Sequence, residues 1–153
     1  MEERFEEIFD LYKDDIYRLA YSYTLNKSDA EDIVQITFAR LYKNKKLINK
    51  EYLKKWLIKV TVNESKNYLK SNWLKKVFKI EIKDNDFKYE DKNDNLEIYE
   101  VLKRLSINER IILYLYYFEG YSIKEISKNL NMNENTVKTN MHRAKLKMKI
   151  EME

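Results

Sequence analysis

The chain has a single glycine, Gly120, and no proline in 153 residues. Sheets made of short strands need tight turns, and tight turns draw heavily on these two residue types. A chain almost without them is held to helices joined by short polar links, so the expected fold class is all-α. Hydrophobic residues make up 44% of the chain, enough for a real core, and this length allows one or two small domains. There is no cysteine, which excludes disulfides. With His142 as the one histidine, a Cys/His zinc site is nearly excluded too. No apolar run could cross a bilayer, and the acidic start MEERFEEIFD is not a signal peptide. The expectation is a soluble, cytoplasmic protein with no metal and no cofactor.

Charge is laid out in blocks. Residues 1–42 carry 5 basic and 10 acidic side chains, net −5, and residues 43–79 carry 12 and 2, net +10. Residues 80–100 carry 3 and 8, net −5, and residues 101–153 carry 10 and 6, net +4. Two basic blocks separated by an acidic segment imply two anion-facing surfaces on two modules.

Three S-x-x-E capping boxes mark helix starts: Ser28/Glu31, Ser106/Glu109 and Ser122/Glu125. Helices are expected near 3–25, 29–45, 51–72, 96–104, 107–118, 123–130 and 134–149. Gly120, after LYLYYFE, suits a left-handed helix end, and Asn131, after SKNL, can take the same conformation. Residues 79–95, KIEIKDNDFKYEDKNDN, have only weak periodicity. KIEI alternates like a short strand, but the many Asp and Asn favour a flexible acidic linker, with the domain boundary near 76–95.

In the C-terminal module, SIKEISKNL–NMN–ENTVKTNMHRAKLKM has the spacing of a helix–turn–helix. Ile123, Ile126 and Leu130 face inward, Met132 plugs the turn, and Val137 and Met141 anchor the second helix. Val137, Met141, Ala144 and Met148 form one narrow apolar stripe. The first turns of that helix carry Asn133, Glu134, Asn135, Thr136, Lys138, Thr139, His142 and Arg143. Asn and Arg are types that read base edges in a major groove, whereas Lys and Thr suit phosphates. A charge run alone would read as a solvated face. Turn spacing, Gly120 and the basic bias together favour DNA binding.

In the N-terminal module, SDAEDIVQITFARLYKN is amphipathic. Ala30, Ile33, Val34, Phe38, Leu41 and Tyr42 make a broad core face, while Asp29, Glu31, Asp32, Gln35 and Arg40 stay polar. Periodicity alone leaves Asp32 and Gln35 as ordinary surface. The next helix, EYLKKWLIKVTVNESKNYLKSNW, puts Leu53, Leu57, Val60 and Tyr68 on one face. Lys55, Lys59, Asn63, Lys66 and Lys70 lie roughly opposite, with Val62 as a poor fit beside them. A lysine row with an asparagine in its middle, near Trp56, Tyr68 and Trp73, suits a nucleic-acid backbone and exposed bases.

Taken in order, DAEDIVQITFARLYKN, WLIKVTVNESKNYLKSN, an acidic linker and LSINERIILYLYYFEGYSIKEISKNLNMNENTVKTNMHRAKLKM resemble a bacterial RNA polymerase sigma factor. The extracytoplasmic-function (group IV) type of the sigma-70 family, which keeps only the sigma-2 and sigma-4 domains, is the one resembled. The resemblance implies a sigma-2-like bundle over 1–76, a linker over 77–95 and a sigma-4-like helix–turn–helix domain over 96–153. It gives Asp29, Glu31, Asp32 and Gln35 a docking role on the clamp helices of the polymerase β′ subunit. Lys54, Lys55, Lys59, Asn63, Lys66 and Asn67 fall in the region that reads and melts the minus-ten element. The loop 45–50 is a candidate pocket for a flipped base, whose unstacking pocket contacts must offset. Asn133, Asn135, Thr136, Lys138, Thr139, His142 and Arg143 fall in the minus-thirty-five reader. Ser127 and Asn131 depart from the family's usual alanine and glycine. The linker would thread near the polymerase active centre and RNA-exit channel.

The partners implied are core RNA polymerase (β′ clamp helices and β flap), promoter DNA and an anti-sigma factor. The free chain would be a monomer, binding its partner one-to-one without inserting in a membrane. Catalytic residues are not expected, since the polymerase does the chemistry. A stand-alone helix–turn–helix regulator of response-regulator type is the main rival, but it would need a βαβ receiver or a ligand domain upstream. A protein that holds polymerase or an antagonist without reading DNA is another. An enzyme has least support, because no Gly-rich phosphate loop is present.

Overall fold

A computed structural model describes residues 2–44, 50–77 and 96–152. Among them every regular element is an α-helix: α1 (Glu2–Thr24), α2 (Lys27–Lys43), α3 (Lys50–Val77), α4 (Leu96–Arg104), α5 (Ile107–Tyr117), α6 (Ile123–Leu130) and α7 (Glu134–Met152). The chain divides into two compact units, residues 1–92 and 93–153. The segment 79–95, with the strand-or-linker question over KIEI, and the loop 45–49 lie outside the described residues.

In the first unit α1, α2 and α3 pack against one another. Helix α1 buries Ile16, Leu19, Ala20 and Tyr23, at i, i+3, i+4 and i+7, so one stripe faces its neighbours. Helix α2 buries Ala30, Ile33, Val34, Thr37, Phe38 and Leu41. Helix α3 buries Leu53, Leu57, Ile58, Val60 and Val62, a face wide enough to take in Val62, which is 0% exposed. Each such side chain contributes about 1.5–3 kcal/mol through burial. Phe38 receives the edges or faces of two α1 rings, Phe9 at 4.9 Å and Phe5 at 6.5 Å, both near-perpendicular. Tyr42, expected in the core, is 43% exposed, although its ring meets Phe5 edge-on at 5.3 Å.

The corner between α1 and α2 is only Leu25 and Asn26. Leu25 takes a positive φ of 50° while its N–H donates to the Tyr21 carbonyl at 2.7 Å. Asn26 is the N-cap: its side-chain oxygen accepts from the Asp29 N–H at 2.9 Å. The expected Ser28/Glu31 capping box does not form. The helix has already begun at Lys27, because the short corner brings Asn26 into cap position first and asparagine caps as well as serine. Helix α3 runs to Val77, past the expected end at 72, since no Gly or Pro interrupts its polar tail.

The second unit has both of its expected capping boxes. Ser106 Oγ accepts from the Glu109 N–H at 3.2 Å while the Ser106 N–H donates to Glu109 Oε1 at 2.8 Å. The pair Ser122/Glu125 does the same at 3.1 Å in both directions. After α5, Gly120 sits at φ +69°, and the Tyr121 N–H closes back on the Leu115 carbonyl at 2.9 Å. Asn131 ends α6 at φ 56°, ψ 48°, the left-handed conformation in which asparagine replaces glycine at small cost. Beside it the Ser127 hydroxyl donates to the Met132 carbonyl, and the Met132 N–H donates to the Ser127 carbonyl at 2.9 Å. The two departures from the family pattern thus stitch the turn together. Leu105, Ile111, Ile112, Leu115, Ile126, Leu130, Val137, Met141 and Ala144 form the core. The Arg110 guanidinium reaches back to the Leu102 and Leu105 carbonyls, at 3.2 and 2.8 Å, and so satisfies the end of α4.

Tyr121 is buried in this unit, and its hydroxyl finds no hydrogen-bond partner among the described residues. Burial first, then the Glu119 and Glu125 carboxylates, push its phenol up to about 12. An orphaned buried hydroxyl costs about 1–3 kcal/mol. Tyr121→Phe should therefore leave the denaturant midpoint unchanged or raise it. A clearly lower midpoint would show that the hydroxyl is bonded in solution.

Candidate nucleic-acid interface

Helix α7 is fixed by its buried stripe, Val137, Met141 and Ala144, which seats it against α5 and α6. At 100° per residue the opposite stripe is Asn135, Thr139, His142 and Leu146, flanked by Thr136 and Arg143 on one side and Lys138 on the other. All of these are exposed. Glu134, Asn135, Thr136, Lys138, His142 and Arg143 have side chains with no hydrogen bond or ion pair inside the described chain.

Two of the expected readers are partly committed elsewhere. Asn133 is the N-cap of α7. Its carbonyl accepts from the Val137 N–H at 3.1 Å, and its side-chain oxygen accepts from the Asn135 N–H at 2.8 Å. That oxygen is one half of the pair an asparagine needs for a bidentate contact to adenine. The Thr139 hydroxyl donates to the Asn135 carbonyl at 2.9 Å, leaving its lone pairs for an incoming donor.

The last turns of α7 are tied to α5. Lys147 Nζ donates to Glu109 Oε1 and Oε2 at 2.8 and 3.2 Å. Lys145 Nζ lies over the rings of Tyr116 and Tyr117, at 5.9 and 5.8 Å. Burial alone would raise the Glu109 carboxyl, but the Lys147 ammonium and the Ser106 N–H outweigh it and hold its pKa below the ordinary range. Its stabilising effect is thus complete above the usual glutamate pKa of about 4.3. It is lost as pH falls through the lower folded value. Nothing in the sequence signalled this pairing, since Glu109 reads there as a cap residue and Lys147 as one more surface lysine 38 positions on.

On α3, Lys55, Lys59, Asn63, Lys66, Asn67 and Lys70 are all exposed. Partial burial, then the nearby Lys59 ammonium, lower the pKa of Lys66. Lys54 stands apart from this row and pairs with Asp15 of α1 at 3.3 Å. Tyr68 packs on the cluster of Ala20, Ala30 and Ile33 together with Tyr17 and Tyr21. Trp56 is half-buried. The side chain of Trp73 and the loop 45–50 proposed as a base pocket lie outside the described side chains.

On α2, Glu31, Asp32 and Gln35 are exposed and Asp29 is half-buried in the first turn. Ile36, one turn after Asp32, is 42% exposed and adds an apolar spot to this acidic edge. Helical spacing puts Ile36 opposite the buried stripe of α2, and from sequence it was assigned to neither face. Arg40 of α2 forms an ion pair with Glu64 of α3, whose carboxylate is only 11% exposed. This bond links α2 to α3.

Comparison with known proteins agrees with this geometry. The family model described as Sigma-70 region 2 matches residues 8–75, and that described as Sigma-70, region 4 matches residues 95–148. RNA polymerase sigma factor SigV of Bacillus subtilis (strain 168) is 32% identical over 145 residues, covering 92% of this chain and 86% of SigV. The ECF RNA polymerase sigma factor SigM of the same organism is 30% identical over 150 residues, covering 94% and 92%. Among solved structures, the sigma factor RpoE in complex with the anti-sigma factor NepR from Bartonella quintana has the same fold. Its TM-score is 0.73 at 19% identity, over 98% of this chain and 97% of that one. Two regions matched in order, on two separate helical units, place this chain in the sigma-70 family of RNA polymerase sigma factors, in its extracytoplasmic-function group.

Proposed function

We infer that this chain is a dissociable promoter-specificity subunit: it binds core RNA polymerase, engages the minus-ten and minus-thirty-five elements and promotes transcription initiation. The observation that carries the reading is the pairing of a sigma region 2 bundle with a region 4 helix–turn–helix in one chain. The response-regulator alternative is not favoured, because the first unit is three packed helices with no strand among the described residues. The polymerase makes the phosphodiester bonds, in the cytoplasm, and this chain supplies position.

The division of labour follows from surface chemistry. Lys55, Lys59 and Lys66 meet the backbone around the melted minus-ten region, and Asn63 and Asn67 offer donors and acceptors to bases. Lys54, which pairs with Asp15 of α1, falls in the same region. Asn135, Thr136, Lys138, Thr139, His142 and Arg143 enter the upstream major groove, with Asn133 acting mainly as the cap that presents them. Asp29, Glu31, Asp32 and Gln35 dock on the β′ clamp helices. Two weak grips on one chain raise each other's effective concentration, so neither unit needs to hold DNA tightly alone. An anti-sigma protein is the second class of partner, as RpoE of Bartonella quintana has in NepR.

Charge reversal tests the docking edge. Asp32→Arg should weaken binding to core polymerase at least several-fold, more at low salt than at high, since it puts a cation where the clamp is expected to offer its own. Wild-type affinity at low salt would make Asp32 plain surface. The whole mechanism is tested by duplex binding. The free chain should bind promoter duplex poorly and gain strongly when core polymerase is added. Tight binding by the chain alone, with polymerase adding nothing, would contradict it.

A further inference from the structure

The lysines at the end of α7 are not disposed like those at its start. Lys138 has no intramolecular partner among the described residues. Lys145 and Lys147 are both engaged by α5, one over Tyr116 and Tyr117 and the other on Glu109. The Glu109 side chain is 4% exposed, against 45% for Lys147. Glu109 also completes the Ser106 capping box through the same oxygen that Lys147 holds, Oε1. One buried carboxylate therefore joins the start of α5 to the far end of α7. Near the N-terminal end of α7, the Ser127–Met132 stitch and the Asn133 cap fix the turn. The helix is pinned near both ends, and the exposed reading residues lie between the pins.

We propose that Glu109 and Lys147 form a positioning clamp that sets the angle of α7 toward the upstream promoter element, and that Lys147 is not itself a phosphate contact. The proposal rests on the reading of α7 as the upstream-element helix. A carboxylate on the surface would let Lys147 swing away to any phosphate within reach. A buried one, already fixed by the Ser106 N–H, holds the ammonium at a defined place. Base readout by a bidentate side chain depends on such alignment, whereas attraction to phosphates does not.

The test uses holoenzyme assembled with the full chain, and compares open-complex formation on two templates, one with an intact and one with a scrambled upstream element. Wild type should prefer the intact template. Lys147→Met should shrink that preference by about fivefold or more, the loss of one well-aligned base contact, while leaving the salt dependence of binding unchanged. Lys147→Arg, which can still pair with Glu109, should restore it. All three proteins are compared well below their melting temperatures, where the folded fraction is the same. A uniform loss on both templates, with the salt slope reduced by about one, would make Lys147 a phosphate contact and overturn the proposal. A lower melting temperature with the preference intact would reduce the pair to a structural role and overturn it as well. A wild-type preference of one would instead overturn the reading of α7, and the clamp with it, before any substitution is made.

Discussion

Phe38→Ala is expected to unfold the first unit, or to leave it so close to its threshold that the chain no longer binds core polymerase at physiological temperature. Phe38 is 2% exposed and stands between α1 and α2, with Phe9 and Phe5 packed on it edge to face. Truncating such a phenylalanine costs about 3–5 kcal/mol, made up of lost burial and the cavity left behind. The aromatic pairs add about 0.5–1.5 kcal/mol each. A small helical domain has a total stability on the order of 5–15 kcal/mol, so most of the reserve is gone. The check is thermal or denaturant unfolding followed by far-UV circular dichroism, together with core-binding affinity. Phe38→Leu, which keeps the site apolar, should retain much of both. A Phe38→Ala protein with a wild-type midpoint would mean that the α1–α2 aromatic contact contributes little.

The second large effect belongs to Arg143. Its guanidinium is exposed, has no partner within the described chain, and stacks along α7 with Thr136 and Thr139 at i, i+3 and i+7. If it forks onto a guanine, Arg143→Ala should cost about 1–3 kcal/mol, roughly 5- to 150-fold, on promoters with an intact upstream element. On templates with a mutated upstream element the loss should be small. Lys138→Ala makes the useful contrast: if Lys138 meets a phosphate, its removal should weaken all sequences alike and lower the salt slope by about one. Transcription from matched promoter pairs reads both. Equal start-site strength for wild type and Arg143→Ala would remove Arg143 from the reading set.

These effects show which parts of the molecule were legible beforehand. The helices of the second unit could be placed from caps: Ser106/Glu109 and Ser122/Glu125 state where α5 and α6 begin, and Gly120 and Asn131 state where helices end. Such signals are local, made by residues three or four apart. The start of α2 was misread because two good caps, Asn26 and Ser28, compete, and corner length rather than residue type decides between them. Val62 looked out of place because the buried face of α3 is wider than a single stripe. The lysine row and the polar face of α7 were legible from helical spacing alone. The commitments of those side chains were not. That Lys54 belongs to Asp15, Lys147 to Glu109 and Arg40 to Glu64 depends on helices meeting across the bundle, and no local pattern encodes a partner on another helix. The exposed Ile36, beside Glu31, Asp32 and Gln35, was assigned to neither face of α2, although its spacing places it opposite the buried stripe.

Run-off transcription with core RNA polymerase on genomic DNA tests the central claim most directly. Adding this chain should create a limited set of mapped start sites that core polymerase alone does not use. Those sites should share one short upstream motif and one minus-ten motif at a constant spacing. No start sites above the core-alone background would contradict the account.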